Sequence, residues 1–157
     1  MIVLRSVRPA AAAPDVWNEV RRPRLLRYVA APLQAFAPVQ PPAWPDVWAP
    51  GPYEVHLKVL GMLPFGTHWI VISFPEEDHT PGQERFLMRD RGHGKVVEAW
   101  DHLITVQALP DGRTLYTDRV EVRAGVLTPF VWMFAQVFYR HRQRRWQALV
   151  RGHVRSH

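Results

Sequence analysis

The chain has 157 residues, 47% of them hydrophobic, and a domain near this size buries roughly 70% of its unfolded surface, so a packed core is within reach. It has no cysteine, which excludes disulfides and thiolate metal sites and fits a reducing cytoplasm. Its net charge of +6 rests almost wholly on arginine, with Lys58 and Lys95 the only lysines, in a chain rich in Ala, Pro and Val. Those cations are scattered over Arg5, Arg21, Arg85, Arg113 and Arg140 and gather on no recognition element, so no specific nucleic-acid partner is expected. The apolar run at Met1–Arg8 is too short for a signal peptide, and Val131–Tyr139, interrupted by Gln136, is far below the ~20 residues of a membrane span. A single domain over 1–157 is the expectation.

Ile2 to Arg8 alternates apolar and polar residues, as an edge strand does. Pro14 and Asp15 suit the first turn of a short helix carrying Val16, Trp17 and Val20, and Pro23 starts a second with Leu25, Leu26, Tyr28 and Val29. Ala37 to Pro52 is rich in Pro and reads as an irregular wrap held by Trp44 and Trp48. The period then becomes two, with Tyr53, Val55, Leu57 and Val59 on one face. Gly61 to Gly66 reads as a turn, and Thr67 to Phe74, apolar on both faces, as an interior strand. Pro75 to Gln83 reads as a polar loop, Arg85 to Arg91 as a strand, and Gly92-His93-Gly94 as a turn. His93 is expected to serve that turn only.

Val96–Leu109 and Arg113–Arg123 read as long strands joined by Pro110-Asp111-Gly112, which suits a type I turn followed by a left-handed Gly bulge. That register sets Ile104 opposite Asp118, His102 opposite Val120 and Trp100 opposite Val122. One face then carries Trp100, His102, Ile104, Val106, Tyr116, Asp118, Val120 and Val122. Asp101 and Arg119 fall diagonally on the other face as a solvent-side ion pair. Thr128 and Pro129 open a long helix that Gly152 can end. Its polar stripe holds Gln136, Arg140, Gln143, Arg144 and Gln147. The remainder is a wide apolar arc of Phe130, Val131, Phe134, Val137, Phe138, Ala148 and Leu149, edged by Trp132, Tyr139 and Trp146. Such an arc requires a concave partner, and a bent sheet supplies one.

This order, with Pro14-Asp15-Val16-Trp17 after the first strand and Leu127-Thr128-Pro129-Phe130 opening the last helix, resembles the START-like superfamily of helix-grip proteins. Trp100-Asp101-His102, Asp118-Arg119-Val120-Glu121 and Tyr139-Arg140-His141-Arg142 are similar to segments of uncharacterised bacterial members. The resemblance implies an α+β fold in which a curved antiparallel sheet wraps a long C-terminal helix, with a ligand cavity between them. It also implies seven strands where six are clear, so either one lies in the Pro-rich wrap or the sheet is reduced. Polyketide cyclases and lipid-transfer domains share this fold, so the expected partner is a lipid, isoprenoid or polyketide-like molecule.

The candidate catalytic group is His102 with Asp118, since a carboxylate fixing one imidazole nitrogen leaves the other free as a base; Tyr116 adds a hydroxyl. A buried, self-satisfied polar pair is the competing reading and the favoured one. His141 and Arg145 lie one turn apart within the helix's apolar arc as candidate ligand contacts, and the Arg145 guanidinium is expected to meet Asp118, Glu121 or an acidic head group, or to snorkel at the sheet's rim. Phe86, Met88, Trp100, Phe130, Phe134 and Phe138 are expected in the cavity wall or the core. No metal-ligand spacing, phosphate loop or nucleophile elbow is present, so neither cofactor nor metal is expected. Two other classes remain open: a cyclase, aromatase or dehydratase using His102 and Asp118, and a module whose basic last helix contacts an anionic membrane surface or a partner.

Overall fold

A computed structural model describes residues 1–60 and 62–155, with side chains through Gly152. The chain runs β1 (Ile2–Val7), α1 (Ala13–Val20), α2 (Pro23–Ala30), β2 (Gln34–Gln40), β3 (Gly51–Val59), β4 (Leu63–Asp78), β5 (Arg85–Gly94), β6 (Ala99–Ala108), β7 (Thr114–Arg123), a 3-10 turn (Gly125–Leu127) and α3 (Thr128–Arg155). The strands form an open antiparallel sheet in the order β1-β7-β6-β5-β4-β3-β2. Its concave face grips α3, and α1 and α2 close one end. This is the helix-grip α+β architecture.

The seventh strand is β2, at the start of the Pro-rich wrap. Pro38 hides it from a reading by strand propensity, but β2 lies on the sheet edge and shifts register between Pro38 and Gln40, where a missing N–H is tolerated. The same allowance corrects the expected loop at Pro75. β4 continues to Asp78 through a register shift between Ser73 and Glu76 that accommodates this proline. The expected turn at Gly61–Gly66 is also shorter, because β4 already begins at Leu63; Gly61 itself lies outside the described residues. After β2 the wrap is held as expected: the Trp48 N–H donates to the Arg21 carbonyl at 2.7 Å, and its ring meets Tyr53 edge-on.

The β6–β7 hairpin has the predicted register, with Ile104 opposite Asp118 and His102 opposite Val120. The Gly112 N–H bonds the Leu109 carbonyl, and Gly112 adopts a φ of 81°, the left-handed conformation the bulge requires. Inner-face residues from His102 to Val122 are buried, and outer-face ones are half-buried or exposed. There Asp101 pairs with Arg89 of β5, not Arg119, through two bonds of 2.6 and 2.9 Å. The fork of the β5 guanidinium matches the carboxylate.

Helix α3 begins and ends differently from expectation. Thr128 is already helical; its hydroxyl accepts from the Ala124 N–H and donates to the Gly125 carbonyl, closing the 3-10 turn instead of capping α3. Gly152 does not stop the helix, which runs on to Arg155. The buried stripe is Ala135, Phe138, Tyr139, Arg142, Gln143, Trp146 and Val150. It is rotated from the arc expected from apolar residues alone. Phe130 is 70% exposed, Val137 and Ala148 face solvent, and Tyr139 and Trp146 sit at the centre of the contact. The reason is chemical: the sheet presents Asp118 to the helix, and Arg142 and Gln143 turn inward to meet it.

Candidate functional site

Helix α3 packs against β1, β7 and α2, which leaves a gap between its first half and strands β3 to β6. The gap is a cavity of about 320 Å³. Leu57 and Val59 of β3, Ile70 of β4, and Phe134 and Phe138 of α3 supply much of its apolar wall. Phe65, Val96, Leu127 and Phe130 also line it and are exposed, so its mouth carries an apolar rim. Asp90, His102 and Arg142, which strand pairing and charge bring together, make a polar end, and Gln34, Thr67, His68 and Lys95 are further polar residues of the lining.

From His102 and Arg142 a buried network runs back to Asp118, Tyr116 and Gln143. Asp118 Oδ1 accepts from His102 Nε2 at 2.7 Å and from the Tyr116 hydroxyl at 3.1 Å; Oδ2 accepts from Gln143 Nε2 at 3.1 Å. Arg142 Nη2 donates to the Tyr116 hydroxyl at 3.3 Å, and its Nε lies 3.9 Å from Asp118 Oδ1. Burial pulls the Asp118 carboxyl upward, but the Arg142 guanidinium and the His102 bond outweigh it and hold it below the ordinary carboxylate range. Burial pulls His102 down, and the bond and charge of Asp118 only partly offset this. Arg142 and the His102 bond thus favour an ionised Asp118, while burial favours the neutral form of His102. Among the described residues every polar atom of the Asp118 carboxylate has a donor, as a buried charge requires.

Two of the cavity's polar residues, Asp90 and His68, are not among the residues singled out in the sequence. Asp90 lies on the inner face of β5, opposite His102. Its Oδ1 accepts from the Val71 N–H at 2.8 Å, and burial pushes its carboxyl up to about 7, against the pull of that bond. His68, on β4, lies across Gly92 and Gly94 of β5. A Cβ built on Gly92 would stand 2.8 Å from His68 Nε2, and one on Gly94 3.0 Å from Nδ1. Burial, then the charge of His93, lowers the His68 pKa to about 4. Gly92-His93-Gly94 is thus not a turn but the end of β5, and its glycines make room for an imidazole. Its His93 stacks on Trp69 at 6.4 Å. The inward-facing parity of Asp90 with Phe86 and Met88 was the one available clue.

Of the sequence-predicted site residues, Trp100, His102, Phe130, Phe134 and Phe138 line the cavity. Tyr116 and Asp118 stand behind His102. Phe86 and Met88 are core, with Phe86 stacked under Trp17 at 5.0 Å. His141 and Arg145 meet neither Asp118 nor Glu121. His141 Nε2 bonds the Ala31 carbonyl at 2.7 Å, Arg145 Nε donates to the Tyr28 carbonyl at 2.8 Å, and the Arg145 head lies over the Tyr28 ring. The carbonyls at the end of α2 lack intrahelical partners and favour positive charge, which explains the placement. Among the described residues no cluster of His, Asp or Glu could hold a metal ion, and no helix is long and apolar enough to cross a membrane.

No family model matches the sequence, and no curated protein matches it. Solved structures do. A START superfamily protein from Mycobacterium smegmatis superposes with a TM-score of 0.63 at 15% identity, covering 96% of this chain and 97% of that one. A protein from Chromobacterium violaceum gives 0.62 at 16% identity, covering 95% and 96%. A conserved protein from Geobacillus kaustophilus gives 0.60 at 12% identity, covering 97% and 96%. The fold is therefore START-like along nearly the whole chain; at these identities the likeness concerns architecture alone.

Proposed function

We propose that this chain binds a hydrophobic or amphipathic small molecule, of lipid, isoprenoid or polyketide-like class, in the cavity between β3–β6 and α3. The observation that carries the reading is the cavity itself: about 320 Å³, apolar for most of its wall, polar at one end. That distribution suits a molecule whose body is apolar and whose polar group is small. The apolar rim at the mouth offers such a molecule a continuous path from a lipid surface or carrier into the interior. Fluorescence titration with the neutral probe N-phenyl-1-naphthylamine tests it. The wild type is expected to bind one probe per chain. Leu57→Trp, which fills the cavity from β3, is expected to keep the circular-dichroism spectrum and lose the probe. Equal binding by both proteins, or no binding by the wild type, contradicts the reading.

A second reading is favoured by one observation: His102 reaches the cavity while Asp118 fixes its far nitrogen. Such a histidine can take a proton from a bound substrate, with Asp118 stabilising the imidazolium, as a cyclase, aromatase or dehydratase requires. Tyr116 holds Asp118 and does not reach the substrate. Deuterium exchange at the α-carbons of 2-tetralone in heavy water tests it. Exchange above the buffer rate that disappears in His102→Phe supports catalysis; exchange at the buffer rate in the wild type rules it out for ketones of this size.

A further inference from the structure

The hydrogen-bonding direction of the cavity's polar end is fixed by groups that never touch a ligand. Asp118, ionised, can only accept, so the nitrogen facing it, His102 Nε2, carries the hydrogen. In the neutral ring, the form that burial favours, the other nitrogen, Nδ1, is a bare lone pair. Among the described residues it has no hydrogen-bond partner. It is not sealed in protein either: among the described residues the side-chain polar atoms both unpaired and sealed are Arg5 Nε and Trp146 Nε1. His102 lines the cavity, which is the space that an unsealed Nδ1 has beside it for a partner. Asp90, directly across the strand pair, has Oδ1 on the Val71 N–H and Oδ2 without a protein partner, likewise unsealed. Arg142, the one guanidinium among the described lining residues, is committed to Tyr116 and Asp118, and Lys95, the other cation of the lining, is exposed.

A ligand group seated here must donate to Nδ1. A carboxylate or phosphate has no proton to give and sets its charge against two acceptors. An ammonium donates but brings a second cation beside Arg142 into a low-dielectric site. A hydroxyl donates to Nδ1 and accepts in turn from a protonated Asp90, which burial favours up to about neutrality. We propose that the ligand ends in a hydroxyl group, as an alcohol, phenol or enol, that donates its hydrogen to His102 Nδ1 while its apolar body lies against Leu57, Phe134 and Phe138. This rests on the cavity being a ligand site, and it adds the chemistry of the ligand's polar end.

Competition against N-phenyl-1-naphthylamine near pH 7 tests it, with 2-naphthol, 2-methoxynaphthalene and 2-naphthoate as matched competitors. A merely apolar cavity prefers the methyl ether, which is more hydrophobic and has no donor. The proposal expects 2-naphthol to compete about tenfold better than the ether, as one hydrogen bond to an otherwise unpaired acceptor would give, and 2-naphthoate to be weakest. It also expects the ¹⁵N resonance of His102 Nδ1 to move on adding 2-naphthol and not on adding the ether. In His102→Phe the order of naphthol and ether should reverse; should that variant fail to fold, the wild-type resonance decides. An ether or carboxylate that competes as well as naphthol, or an Nδ1 resonance that naphthol leaves in place, overturns the proposal while cavity binding stands. Failure of the wild type to bind N-phenyl-1-naphthylamine at all removes both.

Discussion

Asp118 and Arg142 illustrate what one buried charge demands of its neighbours. Removing the carboxylate charge leaves a guanidinium in the core with no counter-ion, a change that typically costs about 3–5 kcal/mol. Asp118→Asn should therefore lower the urea midpoint strongly, and it should depress the His102 pKa further, because the charge that favours imidazolium is gone. A loss under about 1 kcal/mol, or a His102 titration unchanged by the substitution, would show that the two groups are not coupled. Asp90 makes the opposite case. Its folded pKa, about 7, stands above its ordinary value. From about pH 4 to 7 the unfolded chain has lost this proton and the folded chain keeps it, so stability falls as pH rises through that window. Asp90→Asn, which retains an acceptor for the Val71 N–H, should raise the melting temperature most near pH 8 and hardly at all near pH 4. A gain independent of pH would contradict the burial of this carboxyl. The His102–Asp118 pair was legible in the sequence because a turn signal set its register. Asp90 and His68 were not, since a lone polar residue on an alternating strand is indistinguishable from one facing water until the neighbouring strands are placed.

Strands and helices were legible where the pattern is local and hidden where a partner decides it. The β6–β7 hairpin needs only its own turn and alternation. β2 is invisible because Pro38 argues against a strand, and only its edge position permits one. The Gly92-His93-Gly94 segment reads as a turn by composition, but its glycines answer to His68 on β4. Gly92→Ala should push the imidazole aside, and backbone oxygens of Trp69 and Trp100 at 3.2 Å from the added carbon leave little room. A cost of about 1–3 kcal/mol is expected, together with a displaced His68 resonance; an unchanged His68 spectrum would contradict the packing. In α3 the apolar residues alone pointed to the wrong centre of the buried stripe, because two of its inward residues are polar. Phe138→Ala should cost about 3–5 kcal/mol by chemical denaturation, as for a large buried ring, whereas Phe130→Ala should stay within about 0.5 kcal/mol, as for an exposed site. Equal losses at the two positions would mean that the stripe is rotated back toward the apolar arc.

For the whole molecule, the helix-grip architecture was legible from element order, and a cavity was implied by resemblance. Its place along the sheet was not, because it arises from how α3 leans toward β1 and β7 and leaves a gap over β3 to β6, with Arg142 and Gln143 reaching for Asp118. The polar network thus has a geometric role: it fixes the helix on one side of the sheet and so holds the other side open. A ligand that binds only the folded state must stabilise it by mass action. Saturating N-phenyl-1-naphthylamine should therefore raise the melting temperature of the wild type and not of Leu57→Trp.

The most direct measurement is a two-dimensional ¹H–¹³C NMR titration of the methyl and aromatic groups with N-phenyl-1-naphthylamine. Cavity binding predicts saturable shifts concentrated at Leu57, Val59, Ile70, Val97, Trp100, Phe134 and Phe138, with the outer-face Leu103 and Leu115 unmoved. Shifts that gather on the outer face, spread without saturation, or fail to appear at those wall residues would contradict it.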